Sequence, residues 1–201
     1  MKHTLKKLSG FVLAAALVMS CGGNTENKET HEAAEHSDEH AHASDTHEHA
    51  KEHEVIVSSD DFVSISEQIA KSLTESYLEL KDALVNSDTD KSKEVASGMV
   101  SILNDVEVAT AGVSDLKEDA QLIASAENIE KIREHFEEIS QNVYNLAKTK
   151  NSGVTLYKQF CPMAFDNEGA FWLSAKEEIR NPYFGDKMLK CGRVEETIAV
   201  K

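Results

Sequence analysis

The sequence predicts a mainly α fold: an antiparallel, up-down helical bundle of about four helices, with a small irregular α/β C-terminal segment packed on it. Three observations carry this. Apolar residues recur at helical spacing through the middle of the chain, and turn-forming residues break that pattern at short intervals. The composition, dominated by Ala, Glu, Lys, Ser and Leu with two Pro and 6% aromatic residues, favours helices over a many-stranded sandwich. A length of 201 residues suits one domain with appendages.

The first segment, residues 1–20, reads as a lipoprotein signal peptide. Lys2, Lys6 and Lys7 precede an apolar run from Phe11 to Met19, too short to span a bilayer, which needs about 20 apolar residues. The run ends in Leu17-Val18-Met19-Ser20-Cys21-Gly22-Gly23, which resembles the lipobox of bacterial lipoproteins. That resemblance implies lipidation of Cys21 and a mature protein anchored in the bacterial cell envelope. The body would face the periplasm, with a surface-exposed placement also open.

Residues 21–54 read as a disordered, acidic tether, because they hold few apolar residues beyond Ala and cannot bury enough surface to offset the entropy of ordering. Seven of the nine histidines sit here: His31, His36, His40, His42, His47, His49 and His53, interleaved with Asp and Glu. Neutral imidazole binds borderline divalent ions, and carboxylates raise the local cation concentration. The irregular spacing predicts several weak sites for Zn(II), Cu(II) or Ni(II) rather than one fixed geometry.

Residues 55–201 are expected to form a single domain, helical over 60–150. Phe62, Ile65, Ile69, Leu73, Tyr77, Leu80 and Leu84 make one helix face, ended by Asn86-Ser87-Asp88, which can also cap the next helix. Val95, Met99, Ile102, Val106 and Ala109 form a second stripe, closed by Gly112. Ser114 is expected to cap a short third helix with Leu116, Ala120 and Ile123. Ser125 is expected to cap a fourth, where Ile129, Ile132, Phe136, Ile139, Val143 and Leu146 run almost as heptads. Asn151-Ser152-Gly153 stops it. His135, beside this seam, is either a surface residue paired with Glu134 or Glu138, or a ligand reaching toward the segment that follows.

Residues 151–201 change character. Val154–Phe160 is β-prone, Asp166-Asn167-Glu168-Gly169 signals a turn, and Ser174 could cap one helical turn through Glu178. Cys161-x-Met163 and Met188-x-x-Cys191 present two sulfur pairs about 30 residues apart. Thiolate and thioether are soft donors that select Cu(I) and Ag(I), and His135 could complete such a shell. The competing reading is a Cys161–Cys191 disulfide, usual in exported proteins and worth about 3–4 kcal/mol for a loop of this length in the chain-entropy model.

Several blocks carry a wider resemblance: Tyr77-Leu78-Glu79-Leu80-Lys81-Asp82-Ala83-Leu84-Val85-Asn86-Ser87-Asp88, Arg133-Glu134-His135-Phe136, Cys161-Pro162-Met163-Ala164-Phe165, Gly169-Ala170-Phe171-Trp172-Leu173-Ser174 and Glu178 through Gly192. They resemble a bacterial domain of unknown function that occurs in cell-envelope lipoproteins and fused to periplasmic adaptor subunits of copper/silver-type efflux systems. The resemblance spans about residues 62–198 and implies a heavy-metal context. The positions it matches are Cys161, Met163, Met188 and Cys191, with His135. The histidine-rich tether lies outside it.

Charge and motif content exclude other classes. With 36 acidic against 21 basic residues, a net charge of −15 and no basic stripe, the chain would repel nucleic-acid phosphates. Neither a nucleophile with its base nor a Gly-rich phosphate cradle is present, and the cysteines lack Cys-x-x-Cys spacing. The expectation is therefore a non-enzymatic envelope lipoprotein with a lipid anchor in the membrane. It binds Cu(I) or Ag(I) as chaperone, buffer or efflux accessory, needs no organic cofactor, and has an efflux adaptor as possible partner. The alternative is an interaction module docking on such an adaptor, with Cys161–Cys191 as a structural disulfide.

Overall fold

The computed structural model describes residues 60–201, all within one compact unit. Cys21 and the tether histidines lie outside the described residues. Four helices come first: α1 (Glu67–Val85), α2 (Thr89–Asn104), α3 (Ala111–Ser125) and α4 (Ile129–Thr149). Three strands follow: β1 (Leu156–Cys161), β2 (Ala170–Ser174) and β3 (Arg193–Ile198), with short 3-10 turns at 165–167 and 185–187. Each helix packs on its sequence neighbour, and α1 also packs on α4.

Local chemistry sets the helix starts. The first orphan N–H groups of a helix need acceptors. Ser66 accepts from Ile69 N at 3.2 Å, Asp88 from Lys91 N at 2.9 Å and Asn128 from Lys131 N at 2.9 Å. Phe62 and Ile65, expected on the first helix face, are buried but precede its cap. The second stripe stops at Asn104, short of Val106 and Ala109. Gly112 lies inside α3 rather than closing α2, because its missing Cβ makes room for the Phe62 ring; a Cβ there would stand 2.7 Å from that ring.

Ser114 and Ser125, expected as caps, both belong to α3, Ser114 inside it and Ser125 as its last residue. Ser125 Oγ instead donates back to the Gln121 carbonyl at 2.9 Å. The residue that opens α3 is Thr110, whose hydroxyl donates to the Asp61 carbonyl and ties the residue 60–65 turn to this helix.

The C-terminal segment is an antiparallel three-stranded sheet of order β2-β1-β3, without the α-helical component expected of it. Ser174 ends β2 and caps no helix. The carbonyls of Lys176, Glu177 and Glu178 are gathered by the buried Gln159 Nε2 at 2.9, 3.0 and 3.3 Å, so the chain turns there without a helical ladder. β3 was not expected. Its inward positions include Glu196, which accepts from Tyr144 Oη at 2.8 Å and Lys148 Nζ at 2.7 Å, so no apolar alternation betrays it.

One core cluster runs through the helices and sheet. Tyr77 of α1 stacks on Phe136 of α4 at 5.3 Å between centroids, Phe136 meets Tyr183 at 5.7 Å, and Tyr183 meets Trp172 of β2 at 6.1 Å. The outer edge of β2 is covered by the same aromatics, as an unpaired strand edge must be. Leu173 N donates to Tyr77 Oη at 2.9 Å, and Tyr183 Oη donates to the Phe171 carbonyl at 2.6 Å.

Ser140 Oγ spends its proton on the Phe136 carbonyl at 2.7 Å, so Tyr77 Oη donates to Ser140 at 2.8 Å. Burial drives the Tyr77 phenol well above its ordinary pKa, which keeps that donor in place. Tyr77→Phe is expected to destabilise by about 1–3 kcal/mol, since it orphans the buried Leu173 N–H and removes one of the two hydrogen bonds of Ser140 while preserving shape. Urea unfolding of the two proteins measures it; a change under about 0.5 kcal/mol would contradict this role.

Candidate functional site

The strand register brings the two cysteines together. Cys161 ends β1, Phe160 is paired with Arg193 at the start of β3, and Cys191 stands two residues before that start. The Sγ atoms are 3.0 Å apart, as free thiols. Gly192 makes the approach possible, because a Cβ there would lie 2.8 Å from the Trp172 ring and 3.0 Å from the Phe160 carbonyl. Cys191 O accepts from Asn181 Nδ2 at 2.8 Å, and its N–H donates to the Met188 carbonyl at 3.0 Å. Asn181 is itself buried and uses its Oδ1 on Tyr183 N and Phe184 N, so it holds the returning chain in place.

Cys161 is fully buried and Cys191 half-buried. The hydrogen bond with Cys161, then burial, raises the Cys191 pKa and keeps it a thiol near neutral pH. The 3.0 Å separation can be set against two chemistries. A disulfide bond is about 2.0 Å long, a closing movement of about 1 Å. Two thiolates on one ion, each bonded at about 2.3 Å, stand about 3.8 Å apart at a tetrahedral angle and about 4.6 Å apart in a linear site.

The two methionines sit elsewhere. Met163 and Met188 both line a cavity of about 550 Å³, whose other walls include Glu130, Arg133 and Glu134 of α4, Phe165, Asp166, Tyr183, Phe184 and Lys187. Neither cysteine lines it. Met163 is 46% exposed. The turn that carries it is held in an unusual conformation, with positive φ at three successive non-glycine residues: Phe165 (48°), Asp166 (56°) and Asn167 (75°). Such left-handed residues cost about 1–2 kcal/mol each, so surrounding contacts must hold them.

Arg133, to which the sequence assigns no role, ties separate stretches of chain together. Its Nε donates to the Pro182 carbonyl at 2.9 Å and its Nη2 to Ser87 Oγ at 3.0 Å, joining α4, the end of α1 and the loop before the second 3-10 turn. Burial lowers its pKa, but a guanidinium stays charged in proteins.

His135 stands two positions on, about 200° around α4 from Arg133, where residues do not share a face. It is half-buried and lines no wall of the methionine cavity. The structure thus brings Cys161 to Cys191, places Met163 and Met188 on the lining of one cavity, and leaves His135 outside that lining. Among the described residues, no three His, Cys, Asp or Glu side chains converge as a metal-holding group. No helix among them is long and apolar enough to cross a membrane.

A second charged surface joins α3 to α4. Asn142 Nδ2 donates to Asp119 Oδ2 at 2.9 Å, yet burial, with Glu138, Asp115 and Glu118 adding to it, pushes the Asp119 carboxyl up to about 6. Because the folded pKa exceeds the unfolded one, the folded state holds the proton longer, and stability falls as pH rises from about 4 to about 6. Asp119→Asn is expected to add about 1 kcal/mol at pH 7, allowing for its partial exposure, and to flatten that stretch of the profile. Thermal melts between pH 4 and pH 8 follow both effects.

No curated protein and no solved structure matches the chain. Residues 73–154 match the family model described as a protein of unknown function (DUF3347), so a domain of that kind is found from within α1 to just before β1, with the sulfur-bearing sheet segment beyond its end.

Proposed function

We propose that this protein is an envelope lipoprotein, anchored through Cys21, that binds soft heavy-metal ions, Cu(I) or Ag(I), through the sulfur side chains of its C-terminal segment. It acts as a chaperone, buffer or efflux accessory on a four-helix body that we read, from its short connections, as an up-down bundle. It performs no catalysis. The tether histidines capture divalent ions such as Zn(II), Cu(II) or Ni(II), and a heavy-metal efflux adaptor is the partner this role calls for. The observation that supports the reading is the gathering of four soft donors from two distant stretches of chain: a thiol pair 3.0 Å apart and two thioethers lining one cavity. Soft donors of this kind prefer monovalent copper and silver to hard ions.

The test is a competition on the full-length protein, with Zn(II) in excess to fill the tether. About one Ag(I) per chain retained against Zn(II) is the expected result, and no retention overturns the reading. Membrane fractionation of Cys21→Ser tests the anchor separately: release without detergent is expected.

The second reading is an interaction module whose cysteines form a structural disulfide. The short Sγ–Sγ distance favours that disulfide, and it need not compete with metal binding.

A further inference from the structure

We propose that the four sulfurs divide into two devices: Cys161 and Cys191 close a disulfide that staples the loop between them, and Met163 with Met188 forms the soft-ion site on the adjoining cavity wall. This rests on the soft-metal reading above and specifies which donors carry it.

Four observations converge. The Sγ atoms are 3.0 Å apart, nearer to bonding than to sharing an ion. Cys161 is fully buried and offers an incoming ion no approach, whereas Met163 is 46% exposed. The cavity is walled by both methionines and by neither cysteine. Its ionisable lining includes the carboxylates of Glu130, Glu134 and Asp166 against the two cations Arg133 and Lys187, a balance that draws in a cation. A thioether is uncharged and soft, so the ligand class is a monovalent soft ion with low coordination demand, Cu(I) or Ag(I).

The staple has a direct bearing on the site. Met163 lies two residues after Cys161, and Met188 three before Cys191, whose N–H donates to the Met188 carbonyl at 3.0 Å. Joining the cysteines fixes the roots of both methionine-bearing stretches, so less freedom is lost when an ion bridges them.

The oxidation balances by thiol–disulfide exchange. Cys191, the more accessible sulfur, attacks an oxidised partner disulfide as thiolate and forms a mixed disulfide, releasing one partner thiol. Cys161 then attacks Cys191 Sγ, the protein disulfide forms, and the second partner thiol leaves. Two thiols of this chain are oxidised, one partner disulfide is reduced to two thiols, and the two protons given up by the cysteines end on the partner.

The experiment titrates full-length protein with Ag(I), which does not donate electrons to the disulfide, in oxidised and reduced forms, with Zn(II) in excess. A thiol assay establishes each redox state. Oxidised protein should bind about one Ag(I), and Met163→Leu combined with Met188→Leu should weaken it at least about tenfold. Met→Leu conserves volume, and circular dichroism checks the fold. Binding by reduced protein but not by oxidised protein would overturn the division and make the thiolates the ligands, while the soft-metal function stands. Unchanged affinity in the double Met variant would overturn it as well. Absence of Ag(I) binding in both redox states would overturn the function itself. The comparison of oxidised with reduced wild type needs no variant, so a misfolded mutant does not blunt it.

Discussion

Phe136→Ala is expected to cost about 3–5 kcal/mol, among the largest effects of any single truncation in this chain. Phe136 is fully buried, stacks at 10° between ring planes on Tyr77, and tilts against Tyr183 at 59°. Its removal therefore leaves a cavity at the joint between helices and sheet, and loosens the two tyrosines that cover the edge of β2. Domains are stable by about 5–15 kcal/mol, so such a loss brings the protein close to unfolding at ordinary temperature. Urea denaturation followed by the emission of Trp172, which lies in this joint, measures it. A loss below about 1.5 kcal/mol would show that the joint collapses onto the gap and contributes little.

The second large effect concerns the staple. In oxidising conditions, Cys161→Ser is expected to lower stability by about 2–5 kcal/mol relative to oxidised wild type. Under reductant the difference shrinks to the cost of a buried hydroxyl in place of a thiol, about 1–3 kcal/mol. The buried position of Cys161 and the 30-residue separation from Cys191 set both figures. Denaturation curves of the two proteins with and without reductant provide the comparison, and identical curves for oxidised and reduced wild type would rule the staple out.

The helices were legible where apolar periodicity is unbroken, and their caps only in part, since Asn128 rather than Ser125 caps α4. The α4 stripe from Ile129 to Leu146 falls within one observed helix, and Asp88 caps α2 as its position after α1 suggests. Legibility failed where a residue answers to a distant neighbour. Gly112 looks like a stop, but its purpose is to admit the Phe62 ring. Thr110 opens α3 while its hydroxyl serves Asp61. Glu196 hides β3 because its partners, Tyr144 and Lys148, belong to α4.

The candidate site follows the same division. Cys161, Met163, Met188 and Cys191 stand out by residue type and spacing alone. Which sulfur meets which depends on the pairing of β1 with β3 and on the left-handed turn at Phe165–Asn167, neither of which leaves a local pattern. His135 sits beside an apolar seam, and only its angular position on α4 separates it from the sulfur cavity. Tyr77 reads as one more core residue, yet its hydroxyl joins α1, α4 and β2.

The central claim is that the thioethers of this fold hold a soft ion, and methionine methyl NMR on oxidised full-length protein reads those donors one by one. Met99, fully buried in the helical core, serves as an internal reference. On addition of one equivalent of Ag(I), the methyl signals of Met163 and Met188 should shift together and saturate, while that of Met99 stays in place. If Met163 and Met188 remain unmoved at saturation, the soft ion is bound elsewhere or not at all, and the account of this site is wrong.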